Sequence, residues 1–223
     1  MFNQEHEGLS SQNKMFVIVA GNIGSGKTTL TRKLSERLAW KPHYESVNDN
    51  PYLSDFYGDM ARWSFPLQIY FLTHRFNTHK NIEKSFASSI QDRSIYEDAN
   101  IFARALFEQG NLDQRDYENY RNLYESMTSY LSPPTLTIFL KRSLPKLVER
   151  IKLRGRDYEQ SISIDYLERL NKYYDDWFSS YNLGKSLLVD TDDLDFLENE
   201  NHFNRLLERI KDSIEQQDMF QLF

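Results

Sequence analysis

Residues 21–29 read Gly-Asn-Ile-Gly-Ser-Gly-Lys-Thr-Thr, and Gly21 to Thr28 fit the spacing G-x-x-x-x-G-K-[ST]. Glycines at 21, 24 and 26 let the backbone curl until successive N–H groups converge on one point, where phosphate oxygens are the natural guests. Lys27 brings a mobile positive charge to the outer phosphates, and the Thr28 hydroxyl suits Mg²⁺. The apolar run 15–20 precedes the turn, and Leu30, Leu34 and Leu38 follow it at helical spacing. A strand, a glycine turn and the positive end of a helix dipole would therefore aim at the same place, which favours nucleotide binding over a plain connector. The base-reading N-K-x-D of GTPases is absent.

Other residues can act on such a phosphate. Asp92 follows the candidate strand 88–91, where a carboxylate can hold a metal ion, and Arg93 beside it can touch a transferring phosphoryl group. The same residues would also make an ordinary acidic helix start. Glu45 ends a weaker candidate strand at 43–46; it is either a base for an attacking hydroxyl or a surface carboxylate. Arg150, Arg154 and Arg156 around Gly155 are either a mobile cationic lid or a basic helix end. Gln68 and Arg75 lie seven apart with Phe71 between them, on one helix face. That face can read a nucleobase edge or simply join the core.

The elements that must position these groups are legible from periodicity. Strands are expected at 15–20, 43–46, 88–91, 135–140 and 186–190. Helices are expected near 51–60, 63–86, 98–108, 113–131, 144–154, 163–182 and 199–216. Strands separated by helices imply right-handed crossovers and a parallel sheet, with ligands at the strands' carboxyl ends. The expected fold is α/β, one domain over 15–223 after a polar tail at 1–14. The 223 residues carry 33 acidic and 27 basic side chains, for a net charge of −6, which argues against broad nucleic-acid binding. Cysteine is absent, so thiolate metal sites, cysteine nucleophiles and disulfides are excluded. No run approaches the roughly 20 apolar residues of a membrane span. A cytoplasmic protein is expected.

Taken together, "GNIGSGKTT", "NPYLSDFY" (50–57), "RWSFPLQIYFLTHR" (62–75), "QDRSIYED" (91–98), "IFA" (101–103) and "RIKLRGR" (150–156) resemble the deoxyribonucleoside kinases. The likeness is to their bacterial deoxyadenosine/deoxycytidine kinase branch and covers about residues 15–215. It implies a P-loop kinase fold with a parallel sheet of about five strands, an arginine-rich lid at about 154–163, and a homodimer. The implied reaction moves the γ-phosphoryl of Mg-ATP to a deoxynucleoside 5′-hydroxyl. The implied ATP site is Gly21, Asn22, Ile23, Gly24, Ser25, Gly26, Lys27, Thr28 and Thr29, with Arg150, Arg154 and Arg156, and the loop after Asp190 near the donor base. Thr28 and Asp92 match the Mg²⁺ positions. Glu45 matches the base on the 5′-hydroxyl, and Arg93 the residue that orients it, with Lys27 acting on the phosphates. Tyr57 and Glu159 match the 3′-hydroxyl contacts, Gln68, Arg75 and Asp98 the base-reading trio, and Phe102 a stacking ring.

Three departures weaken inference from animal enzymes about substrate range, but not about the reaction. Asp92 and Ser46 stand where many relatives have Glu and Pro, and Asn50 where some animal members have an aromatic. Asp98 can accept a hydrogen bond from an exocyclic amino group, whereas thymine offers a carbonyl oxygen there. Deoxyadenosine and deoxycytidine are therefore expected ahead of deoxyguanosine, with thymidine last. A nucleoside monophosphate kinase is the nearest rival, but Glu45 would face its substrate's dianion. A non-catalytic nucleotide switch is the second rival.

Overall fold

The computed structural model describes residues 14–44, 50–156, 159 and 162–215. The apolar run after Met15 forms β1 (Phe16–Gly21), buried throughout. It sits mid-sheet because it is covered on both faces, as a continuous apolar strand requires. β3 (Ser89–Asp92) and β4 (Leu136–Lys141) pair with it, β2 (Lys41–His43) lies outside β3, and β5 (Lys185–Asp190) lies outside β4. Every pairing is parallel, so the five-stranded parallel α/β sheet expected from the sequence is present.

The period of two along β1 separates the two cores. Val17 and Val19 pack with Leu30 and Leu34 of α1 (Lys27–Leu38) and with Phe203, Leu206 and Ile210 of α9 (Glu200–Glu215). Phe16, Ile18 and Ala20 face the other way, toward Leu72 and Ile82 of α3 (Met60–Lys84) and Leu170 of α8 (Ile164–Ser179). A third cluster joins Phe56 of α2 (Leu53–Gly58), Leu67 of α3 and Leu106 of α5 (Arg104–Glu108). α6 (Gln114–Thr128) packs on α3, and α7 (Leu144–Arg154) on α8.

Two elements differ from the sequence reading in ways that bear on function. The second strand lies at 41–43 rather than 43–46; Pro42 is tolerated because β2 is an edge strand. Glu45 and Ser46, the expected end of that strand, lie outside the described residues, as do residues 1–13 of the expected tail and 157, 158, 160 and 161 of the expected lid. The helix expected to start at 98 begins earlier, as α4 (Ile95–Glu97), where the Ser94 side chain accepts from the Glu97 N–H. It then widens into a π-helical turn at Asp98–Ala103 before α5. Such turns shift side chains off the regular helical face; here the widened segment contains both Asp98 and Phe102.

Candidate active site

Register brings the chemistry together. Val19 pairs with Asp92 and Gly21 with Leu140, so β3 ends two residues short of β1, and the end of the loop at Thr28 reaches Asp92. Two cavities open there. One, about 140 Å³, is walled by Tyr57, Gln68, Phe71, Asp98, Phe102 and Glu159. The other, about 410 Å³, lies over Gly24, Gly26 and Thr29, between Arg150 and the segment 194–197. Lys27, Thr28, Arg154 and Arg156 line both. Two ligands bound in these cavities would meet at that shared cationic wall.

The loop itself divides its residues. Gly24 and Gly26 have φ of 82° and 101°, and a Cβ on Gly24 would stand 3.0 Å from the Leu147 carbonyl. Their backbone therefore stays free to face the larger cavity. Asn22, Ser25 and Gly21 line neither cavity. The Asn22 amide donates to Leu167 O at 2.9 Å and Asn171 Oδ1 at 2.7 Å, while its Oδ1 accepts from the Ile23 N–H. Asn22 thus pins the loop to α8. Ile23 faces the smaller cavity.

Asp92 and Thr28 meet directly, with Thr28 Oγ1 donating to Asp92 Oδ2 at 2.5 Å. Asp92 Oδ1 is buried and has no hydrogen-bond partner among the described residues. A hydroxyl and a carboxylate oxygen at the phosphate end of the loop are a donor set that fits Mg²⁺, which takes one or two protein ligands and completes its shell with phosphate and water.

Arg93 has φ 68°, a left-handed backbone that costs a non-glycine residue about 1–2 kcal/mol. That turn sends the chain from β3 into α4 and leaves the guanidinium 4.5 Å from the centre of the Phe102 ring, in a cation–π contact. In the smaller cavity the Gln68 Oε1 is buried without a hydrogen-bond partner among the described residues. Arg75 does not line the cavity. It lies behind Asp98, Nε to Oδ2 at 3.4 Å with both side chains almost fully buried, and donates to Asp92 O. Glu159 pairs with two lid cations: its Oε2 accepts from Arg154 Nε at 2.9 Å, and its Oε1 from Arg156 at 3.3 Å.

The arrangement suits phosphoryl transfer from the larger cavity to a group in the smaller one, and comparison with known proteins names the acceptor. The deoxynucleoside kinase family model matches residues 17–215. The chain belongs to the deoxynucleoside kinase family. It is 41% identical over 196 residues to the deoxyadenosine/deoxycytidine kinase of Bacillus subtilis, covering 87% of this chain and 90% of that one. A deoxyguanosine kinase of Lactobacillus acidophilus is 36% identical over 209 residues, 90% and 91% of the two chains. Among solved structures, the deoxyadenosine kinase from M. mycoides with bound dATP superposes with a TM-score of 0.78 at 30% identity, covering 88% of this chain and 100% of that one. The enzyme is thus an ATP-dependent kinase of deoxynucleosides, and the monophosphate-kinase and switch readings fall away.

Several residues of the kinase site escaped sequence reasoning. Tyr44 and Tyr166 line the smaller cavity, and Arg142 and Phe196 the larger one. Burial and the neighbouring Arg150 push the Arg142 pKa down, and Arg142 is anchored on Thr191 through Nε to Oγ1 at 3.0 Å. Glu97 is fully buried beside the loop. Burial pushes its carboxyl pKa up, opposed chiefly by the charges of Arg93 and Lys27. Glu97 falls just before the helix start expected at 98, so no helical periodicity marked it.

Proposed function

We propose that the kinase transfers the γ-phosphoryl of Mg-ATP to the 5′-hydroxyl of deoxyadenosine and deoxycytidine, with deoxyguanosine poorer and thymidine poorest. The observation that carries this reading is Asp98, held by Arg75 at the wall of a cavity that also holds a Gln68 oxygen with no hydrogen-bond partner among the described residues. A fixed carboxylate favours the amino group of adenine or cytosine and leaves a buried acceptor facing an acceptor in thymine. Phe102 stacks on the base, while Tyr57 and Glu159 hold the 3′-hydroxyl. Glu159 would then exchange its lid arginines for substrate, freeing Arg154 and Arg156 to face the phosphates.

In the proposed mechanism the loop N–H groups, Lys27 and the lid arginines neutralise the developing charge, and Arg93 orients the 5′-hydroxyl and the phosphoryl group. Glu45 takes the hydroxyl proton. Thr28 and Asp92 would hold Mg²⁺, which would supply positive charge to offset that of the phosphates. Catalysis is mainly positioning and electrostatics.

The test is initial rates with Mg-ATP and each of the four deoxynucleosides and their monophosphates, with and without Mg²⁺. Phosphorylation of deoxyadenosine and deoxycytidine, weak thymidine turnover and no rate without the metal are expected. Thymidine as the best acceptor would overturn the base reading. A cytoplasmic homodimer completes the proposal. It rests on the family's implication and on the exposed apolar side chains of Phe86, Leu123 and Tyr130. No described helix is long and apolar enough to cross a membrane. Sedimentation of the pure kinase is expected to give twice the mass of the chain; a monomer would contradict it.

A further inference from the structure

A buried carboxylate is costly unless it is paired and hydrogen-bonded. Glu97 is wholly inaccessible to solvent and touches three separate parts of the transfer site. Its Oε1 accepts from Tyr174 Oη of α8 at 2.5 Å and from the backbone N–H of Gly21, first residue of the phosphate loop, at 3.3 Å. The same oxygen lies 3.9 Å from the Arg93 guanidinium, which also reaches Tyr174 Oη at 3.5 Å. Gly21 is fixed from its other side as well, since a Cβ there would stand 2.7 Å from the Leu140 carbonyl. Arg93, by contrast, hangs on a left-handed turn whose backbone preference does not hold it. One carboxylate oxygen therefore locks the base of the phosphate loop to the guanidinium across the gap between β1 and β3.

We propose that Glu97 is a positioning residue for phosphoryl transfer, setting the Arg93 guanidinium in register with the phosphate loop through Gly21 and Tyr174. It touches no substrate itself. This rests on the reading that Arg93 stands at the transferring phosphoryl group. An Arg displaced by a fraction of an ångström still binds phosphate but meets the transition state badly, so the loss should fall on kcat rather than on KM.

The experiment is a kinetic double-mutant cycle on the full chain with Mg-ATP and deoxycytidine or deoxyadenosine. Glu97→Gln keeps the side chain's shape and removes its charge; it is expected to lower kcat on the order of tenfold to hundredfold, with KM for both substrates within about threefold. In an Arg93→Lys background the same substitution is expected to change kcat by less than about twofold, because the group it positions is already altered. Melting temperature is followed in parallel. Should Glu97→Gln not fold, Tyr174→Phe takes its place in the cycle, with a smaller kcat loss expected and the same non-additivity.

A lowered melting temperature with kcat within twofold of wild type would make the network merely structural and overturn the proposal. A full multiplicative loss in the Arg93→Lys background would overturn it equally. If Arg93→Lys alone leaves kcat unchanged, the placement of Arg93 fails and takes this inference with it. If Arg93→Lys slows the enzyme and Glu97→Gln does not, the inference alone is lost.

Discussion

Replacing Glu45 by Gln is expected to lower kcat about 10²–10⁴-fold, the usual range for loss of a general base, while the nucleoside still binds within a few-fold of its original affinity. Gln keeps the length of the side chain and can still accept a hydrogen bond from the 5′-hydroxyl, so the ground-state complex survives. It cannot take the proton that the hydroxyl loses as it attacks the γ-phosphorus. A loss confined to kcat, and equal in kcat and kcat/KM, is the mark of an interaction made only in the transition state. Tyr44, the neighbour of Glu45 in the chain, lines the smaller cavity. Steady-state kinetics paired with calorimetric titration of the nucleoside would measure both halves. Turnover within about threefold of wild type would remove Glu45 from the base role and leave phosphoryl transfer resting on electrostatics alone.

The strand, loop and helix that carry residues 21–29 were legible because their determinants are local. Strand, loop and helix are contiguous from Phe16 to Leu38, and glycine, lysine and threonine occur at the one spacing that folds into a phosphate cradle. Asp92 was legible for a related reason: the end of a short buried strand can be read from the run before it. The smaller cavity is assembled from distant pieces. Gln68 and Asp98 sit on different helices, and their convergence depends on a π-helical turn that periodicity does not announce. Only the likeness to known kinases put them on one list. Placing the helix start at 98 instead of 95 had a further cost, because it left Glu97 in a connecting segment. Its partner Tyr174 is 77 residues further on, and a hydrogen bond between two buried side chains at that separation leaves no mark in either local pattern. The short β2 was misplaced by two residues because a three-residue edge strand containing proline carries almost no alternation to read.

Arg75 adds a refinement to base recognition. It stands behind Asp98 rather than in the cavity, so in the proposed reading it would act on the base through the carboxylate it holds, and this determines which substitution tests the pair. Removing Asp98 alone would strand a buried guanidinium, at a cost of roughly 3–5 kcal/mol for breaking a buried ion pair, and the variant could fail by unfolding. Removing both charges together, as Asp98→Ala with Arg75→Met, avoids that imbalance and keeps much of the buried volume of Arg75. The double variant is expected to lose about tenfold to a hundredfold in kcat/KM for deoxyadenosine and deoxycytidine, the worth of a good two-point contact to a base. Thymidine should change little or gain, because its carbonyl oxygen no longer faces a fixed carboxylate and the repulsive element is gone. The ratio of thymidine to deoxycytidine kcat/KM should then rise by roughly the same tenfold to hundredfold. Competition assays with both nucleosides in one mixture read that ratio directly, free of error in active-enzyme concentration. A ratio unchanged from wild type would mean that the acceptor cavity discriminates by shape, through Phe71 and Phe102, and that the Asp98 carboxylate serves only to hold the widened turn in place.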